Sequence, residues 1–275
     1  MKKILTFLLI SSASIHCCMS FADDSPESPA FVLKPYQGLS VTNLEYSKIK
    51  ADFSSDFFGV GRAEGSFKYY RTSVSEALRF GLPSDLEIRV AQKYQNYGVR
   101  SDDFSGFLNP TFGLRKTFRV TPDININLIG SITPKTADHG IRANPTLYDL
   151  GVEGVLKTPS GLITVLGLGR EIVNSYSSFN TTLVYAGAYK EVGDYSLSIL
   201  GSIRASDHSH NYLGSVDSIQ TVSAAIGRQV TSNVWAQLIY RYVNQDSDAV
   251  VYSNGDVHNL TTKENQMAAT LRVLF

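Results

Sequence analysis

Beyond residue 22 the 275-residue chain has no cysteine; its two, Cys17 and Cys18, lie near the start. Met1-Lys2-Lys3 is a basic opening, Ile4 to Ile15 a short apolar core, and Ser20-Phe21-Ala22 puts small residues at the two positions a signal peptidase reads. This layout predicts cleavage after Ala22, since the apolar core is too short to span a bilayer as a helix. Ser14-Ile15-His16 lacks the residues of a lipobox, which argues against lipidation at Cys17. Without both cysteines the remaining chain has no disulfide, no thiolate metal site and no cysteine nucleophile.

Basic excess is lacking too. Lys+Arg and Asp+Glu each number 25, and loss of Lys2 and Lys3 tips the balance slightly acidic, so nucleic acid is not an expected partner. No later apolar run approaches the roughly 18 residues of a spanning helix. What the chain does have is punctuation. Five turn signals recur at nearly even spacing: Leu82-Pro83-Ser84-Asp85, Val120-Thr121-Pro122-Asp123, Thr158-Pro159-Ser160-Gly161, Glu191-Val192-Gly193-Asp194 and Val230-Thr231-Ser232-Asn233. Pro, Gly, Asp and Asn set turn dihedrals, so these read as tight reversals. More polar connections lie between them, near 51–65, 99–106, 136–145, 207–215 and 247–259.

The intervening segments alternate. Tyr195, Leu197, Ile199 and Ile203 oppose Ser196, Ser198, Ser202 and Arg204; Ile124, Ile126, Leu128 and Ile132 oppose Asn125, Asn127, Ser131 and Thr133. A period of two gives one oily and one wet face. A soluble sandwich would share that pattern with apolar residues inward. Strand length separates the two, because these segments run past the usual soluble length of about 5–6 residues and meet the roughly 9–11 that a tilted membrane strand needs.

Strands are expected near 36–50, 66–80, 85–98, 107–119, 123–135, 146–158, 161–174, 178–190, 194–206, 216–229, 233–246 and 262–275. The expected fold class is therefore all-β: a single transmembrane antiparallel β-barrel of twelve strands with both termini periplasmic. Residues 1–22 form a signal peptide, 23–35 a periplasmic N-terminal segment and 36–275 an outer-membrane barrel. Asp23 to Pro35 is either a loose tail or an insert into the lumen. Ten or fourteen strands stay open, since the first has the weakest pattern. Tyr69, Tyr70, Tyr94, Tyr97, Tyr148, Tyr176, Phe179, Tyr240 and Tyr242 fall toward loop ends, and Phe80, Phe118, Tyr189, Tyr195 and Phe275 toward turn ends, where girdles of rings would sit. Three places fit poorly: Leu162 to Gly169 is apolar on both faces, Glu76 falls on the oily side, and Lys116 sits among Phe112, Leu114 and Phe118.

Little in the chain reads as an enzyme. His139, His208, His210 and His258 all fall in predicted outer loops. Asp207-His208-Ser209-His210 matches no strong metal spacing. No G-x-S-x-G elbow occurs, and Gly59 to Gly65 imitates a nucleotide fingerprint without its strand-to-helix context. An outer-membrane hydrolase using Asp207, His208 and His258 is the weakest reading. No cofactor is expected.

The lumen is the stronger candidate. Arg71, Arg79, Glu87, Arg89, Lys93, Arg115, Arg119, Asp149, Glu153, Lys157, Arg204, Arg241 and Arg272 are expected to face inward, ten basic and three acidic. Such a lumen is positive and favours anionic solutes. The alternative is that opposed charges pair across the barrel and close it.

Two resemblances follow from particular residues. Met267, Ala269, Leu271, Val273 and Phe275 share one face of a final strand ending on an aromatic. This resembles the targeting strand that barrel-assembly machinery recognises, with Leu271, Val273 and Phe275 as its signal. The runs Arg79 to Arg89, Leu108 to Arg115 and Leu128 to Pro134 are similar to the outer-membrane proteins grouped as the "MetA-pathway of phenol degradation" or putative transporter family. The similarity covers residues 60 to 275, and Thr133-Pro134-Lys135-Thr136 stands where that family has Pro-Thr-Gly. It implies a single barrel moving hydrophobic or aromatic compounds inward, with no catalytic residues. The expected function is passive passage of small solutes, aromatic or anionic, across an outer membrane. The alternative is a closed structural or adhesive barrel acting through its outer loops.

Overall fold

The computed structural model describes residues 25–57, 61–98, 104–136, 146–174, 180–206, 218–251 and 257–275. Their strands are β1 (Gly38–Phe57), β2 (Gly61–Leu82), β3 (Leu86–Gly98), β4 (Phe104–Phe107), β5 (Thr111–Thr121), β6 (Ile124–Thr133), β7 (Thr146–Lys157), β8 (Leu162–Asn174), β9 (Thr181–Val192), β10 (Tyr195–Ser206), β11 (Ser218–Thr231), β12 (Val234–Val251) and β13 (Val257–Leu274). Every pairing is antiparallel, and β1 pairs with both β2 and β13, so the sheet closes into a barrel. It has twelve staves. The fourth is made of β4 and β5, both paired to β3 and separated by Leu108-Asn109-Pro110. Pro110 has no N–H to give a ladder. Gln92 bridges the gap, donating Nε2 to the Leu108 carbonyl at 2.6 Å.

All five expected reversals are hairpin turns at one end of the barrel. Ser84 and Asp85 close the first with positive φ, and Gly161 and Gly193 supply it in two others without a β-carbon penalty. The opposite end departs from expectation. Strands β1, β2, β12 and β13 are 20, 22, 18 and 18 residues long, so much of 51–65 and 247–259 is ladder and not loop. Polar residues there reflect emergence from lipid, and pairing to a neighbour continues without it.

The barrel is inside-out relative to a soluble domain. Met267 is 65 % exposed and Leu166 64 %, whereas Gln95 and Asn127 are 0 %. Apolar side chains form the outer belt and polar ones the interior, as lipid on one side and a wet lumen on the other require. Rings at Tyr70, Tyr94, Tyr148, Tyr240, Tyr242, Phe80, Phe118, Tyr195 and Phe275 are exposed on the belt. Tyr69, Tyr97 and Tyr189 instead turn inward and are buried. Parity explains the first two: Tyr69 precedes Tyr70 and Tyr97 lies three residues from Tyr94, so one of each pair must point in. Tyr176 and Phe179 lie outside the described residues.

The two misplaced charges are both satisfied. Glu76 does face outward, and it accepts hydrogen bonds from the hydroxyls of Ser40 and Thr42 on the adjoining strand. Lys116 reaches the turn end, donating to the Ser84 carbonyl and lying 5.4 Å from the centre of the Phe118 ring.

The lumen and its insert, a candidate solute path

Before β1, the chain folds back into the barrel from the turn end. Ser25, Glu27, Ser28, Ala30, Phe31 and Leu33 are all buried. The Ser25 carbonyl accepts from Ser28 N–H at 3.0 Å and the Ser25 hydroxyl from Glu27 N–H at 3.2 Å, which curls the segment. Its exit is pinned where Tyr36 N–H donates to the Gly81 carbonyl at 2.8 Å and Gly81 N–H to the Gln37 carbonyl at 2.9 Å. Of the two sequence alternatives for Asp23 to Pro35, the part from Ser25 to Leu33 is a lumen insert.

The insert accounts for an oddity of the sequence. Inward Val155, Ile163 and Val165 form an apolar cluster with Tyr185, Tyr189 and the insert's Ala30. That is why Leu162 to Gly169 is oily on both faces: one meets lipid and the other meets the insert. Phe31 and Leu33 pack likewise on Leu39. Arg115 Nη1 donates to the Phe31 carbonyl at 3.0 Å. Near the start of the described segment, Glu27 accepts from Ser196 and lies 3.5 Å from Arg272 Nη1. Burial pushes the Glu27 carboxyl up from its usual range, against the opposing pull of Ser196 and Arg272. The wall is shaped for the segment: β-carbons at Gly81 and Gly227 would overlap Lys34 and Glu27 respectively.

Ion pairs line the lumen wall, each joining strands at most two apart in the sheet. Arg79 holds Glu87 through two bonds of 2.6 Å, Lys93 holds Glu45 at 2.6 Å, and Arg71 pairs with Glu264. Arg204 lies 3.5 Å from Glu171, Arg241 3.8 Å from Glu45 and Arg115 3.9 Å from Glu153. Glu153 also accepts from Asn127 and Tyr185, and Asp149 from Ser131. Arg119, expected in the lumen, is half-exposed at the turn-end rim and paired with Asp85 at 3.2 Å. Lys157 ends β7 at the same rim.

Sequence reading missed four acidic groups: Glu27, Glu45, Glu171 and Glu264. Glu45 lies on the strand whose faces were hardest to assign, and Glu27 precedes every strand. With them included, the lumen is a paired network rather than the strongly basic bore expected. Between network and insert lies a cavity of about 180 Å³ bordered by every stave. Its ionisable lining is Arg79, Arg89, Arg115, Arg241 and Arg272 with Glu27, Glu87, Glu153 and Tyr189. Toward the loop end, Ile49, Ala51, Tyr69 and Tyr97 form a buried cluster with Phe67 against it.

No family model matches the chain, and no curated protein matches it. Among solved structures it is similar to the COG4313 outer membrane channel from Pseudomonas putida F1, with a TM-score of 0.67 and 13 % identity over 94 % of this chain and 100 % of that one. The fold is that of an outer-membrane β-barrel. At such identity the likeness is one of fold. The NanC porin (TM-score 0.48, 9 % identity, 82 % of this chain and 98 % of that one) and a TodX monoaromatic hydrocarbon channel mutant (0.49, 6 %, 87 % and 91 %) are more distant barrels. His139, Asp207, His208 and His210 lie outside the described residues, and His258 falls on β13 rather than in a loop.

Proposed function

We propose that the protein is a passive channel or transporter for small solutes. The observation that carries this reading is the central cavity, which is closed on the turn side by a segment that is not part of the barrel wall. A wall-built constriction would be permanent, whereas an insert tied at one end can leave. Five arginines against three glutamates border the cavity, which supports a preference for anionic solutes. The aromatic cluster of Phe67, Tyr69 and Tyr97 on the loop side supports solutes with a flat apolar part. Kinship with the MetA-pathway transporters is part of this proposal, and rests on the Arg79 to Arg89 hairpin and its companion runs.

The test is conductance in planar bilayers. The chain from residue 23 should pass a small current, and a variant lacking 25–34 a current several times larger. Silence from both would end the channel reading. It would favour the closed structural or adhesive barrel, which the ion-paired network supports. We further propose that residues 1–22 are a cleaved leader and that the turn end faces the periplasm. On this reading both termini are periplasmic, and Leu271, Val273 and Phe275 engage the assembly machinery. The protein is read as non-enzymatic.

A further inference from the structure

Groups from three different strands converge on the carboxylate of Glu27. Ser196 on β10 donates its hydroxyl to Oε2, and Arg272 on β13 brings Nη1 to 3.5 Å from Oε1. Gly227 on β11 contributes a hollow, since a β-carbon there would coincide with the carboxylate and with Ser196 Oγ. Ser196 and Gly227 are cross-strand partners, so hydroxyl and hollow are one feature of the wall. The same inner face of β11 carries side chains at Thr221, Ser223 and Ala225. The missing side chain at 227 therefore answers to the carboxylate and not to the ladder.

The chemistry of this pocket is that of carboxylate recognition. One oxygen meets a hydroxyl and the other faces a guanidinium, and a β-carbon at 227 would fill the space the carboxylate takes. Glu27 reaches it as part of a segment that is also held by apolar contacts and by Arg115 on the Phe31 carbonyl. The pocket opens into the arginine-lined cavity, because Glu27 and Arg272 border both.

We propose that Ser196, Gly227 and Arg272 form a binding site for the carboxylate of a small solute, which Glu27 fills as a tethered substitute until a solute from the cavity displaces it. The inference rests on the channel reading, since it places the site on that path. A group on a short tether competes at an effective concentration of about millimolar, so displacement needs solute in that range.

The experiment uses the cysteine-free chain from residue 23, folded in detergent, with Ser28→Cys as a reporter inside the insert. Benzoate at millimolar concentration should speed maleimide labelling of residue 28 several-fold, and uncharged benzyl alcohol should not. In an Arg272→Gln background, or Ser196→Ala should that variant not fold, benzoate should lose its effect. Gly227→Ala should raise the basal labelling rate by evicting Glu27. Equal labelling with and without benzoate, or equal acceleration by both compounds, would overturn the proposal. Conductance of the variant lacking 25–34 reports separately on the channel. Current without a benzoate response removes the site and keeps the channel, and a benzoate response without current does the reverse.

Discussion

The ring of Phe275 covers Gly38, occupying the space a β-carbon there would take, while the two backbones exchange hydrogen bonds of 2.7 and 2.9 Å. Phe80 abuts the same ring edge-on, with centroids 6.0 Å apart. First strand, second strand and final residue thus meet at one joint on the turn end. Gly38→Val should overpack it at a cost of about 1–3 kcal/mol. Phe275→Ala should lose the ring pair, about 0.5–1.5 kcal/mol beyond the lost burial. Both predict a smaller unheated, fast-migrating fraction when unboiled and boiled samples are compared by gel electrophoresis. An unchanged fraction in both would contradict the role given to this joint.

Arg79 and Glu87 bind through two parallel bonds and are almost wholly buried. Removing one partner strands the other charge. Glu87→Ala should cost about 3–5 kcal/mol, while replacing both residues with Met should recover most of that loss. Urea unfolding in lipid vesicles measures the pair, and equal losses in single and double variants would contradict it.

Glu76 lies on the oily face between the exposed rings of Tyr70 and Phe80. Its cost there is reduced by Ser40 and Thr42, so Thr42→Val should be worse alone than combined with Glu76→Leu. The coupling should fall within the roughly 0.5–3 kcal/mol typical of neighbours in one network. By contrast, Leu168→Arg on the oily face of β8, where its cross-strand partners are Val152 and Val184, should cost about 2–4 kcal/mol. Additive effects at 42 and 76 would show the hydrogen bonds to be unimportant.

Docking of the insert should depend on pH through Glu27. Burial raises its carboxyl above the ordinary 4.5, more than Ser196 and Arg272 lower it, and Glu191 adds to the rise. Tyr189 and Arg79 are the other ionisable neighbours of this corner. The docked segment thus holds its proton more tightly than the free one. Docking is strongest below 4.5, weakens as pH rises through the interval up to the docked value, and is flat above it. Maleimide labelling at position 28, taken relative to a fully exposed cysteine at the same pH so that thiol ionisation cancels, should accelerate over that interval in the Ser28→Cys chain and stay level when Glu27→Gln is added. Slower labelling on raising the pH would reverse the sign and sink the account.

Strand parity from β2 to β13 was legible because lipid enforces a period of two, and the turns because Pro, Gly and Asp leave few conformations. The hydroxyl and amide groups lining the lumen followed from the same parity. Other features had no such signature. On β1, Ser40 and Thr42 face lipid and Val41 the lumen, so polarity alone could not assign Glu45 a side. Nothing local in Ser25 to Leu33 distinguishes a tail from an insert. Its trace lay elsewhere, in Val155, Ile163 and Val165, which make a dry inner patch that only a covering segment explains. Membrane height was misread for a related reason: Asp52 and Ser54 look like loop once lipid is left behind, although the ladder continues through them.

That continuing ladder gives the described strands an oblique rim. The wall from β12 through β2 exceeds 10-residue β6 by up to 12 residues, and ten residues of tilted strand rise roughly 25 Å. Among the described strands, the paired wall therefore stands higher on the flank from β12 to β2 than at β6.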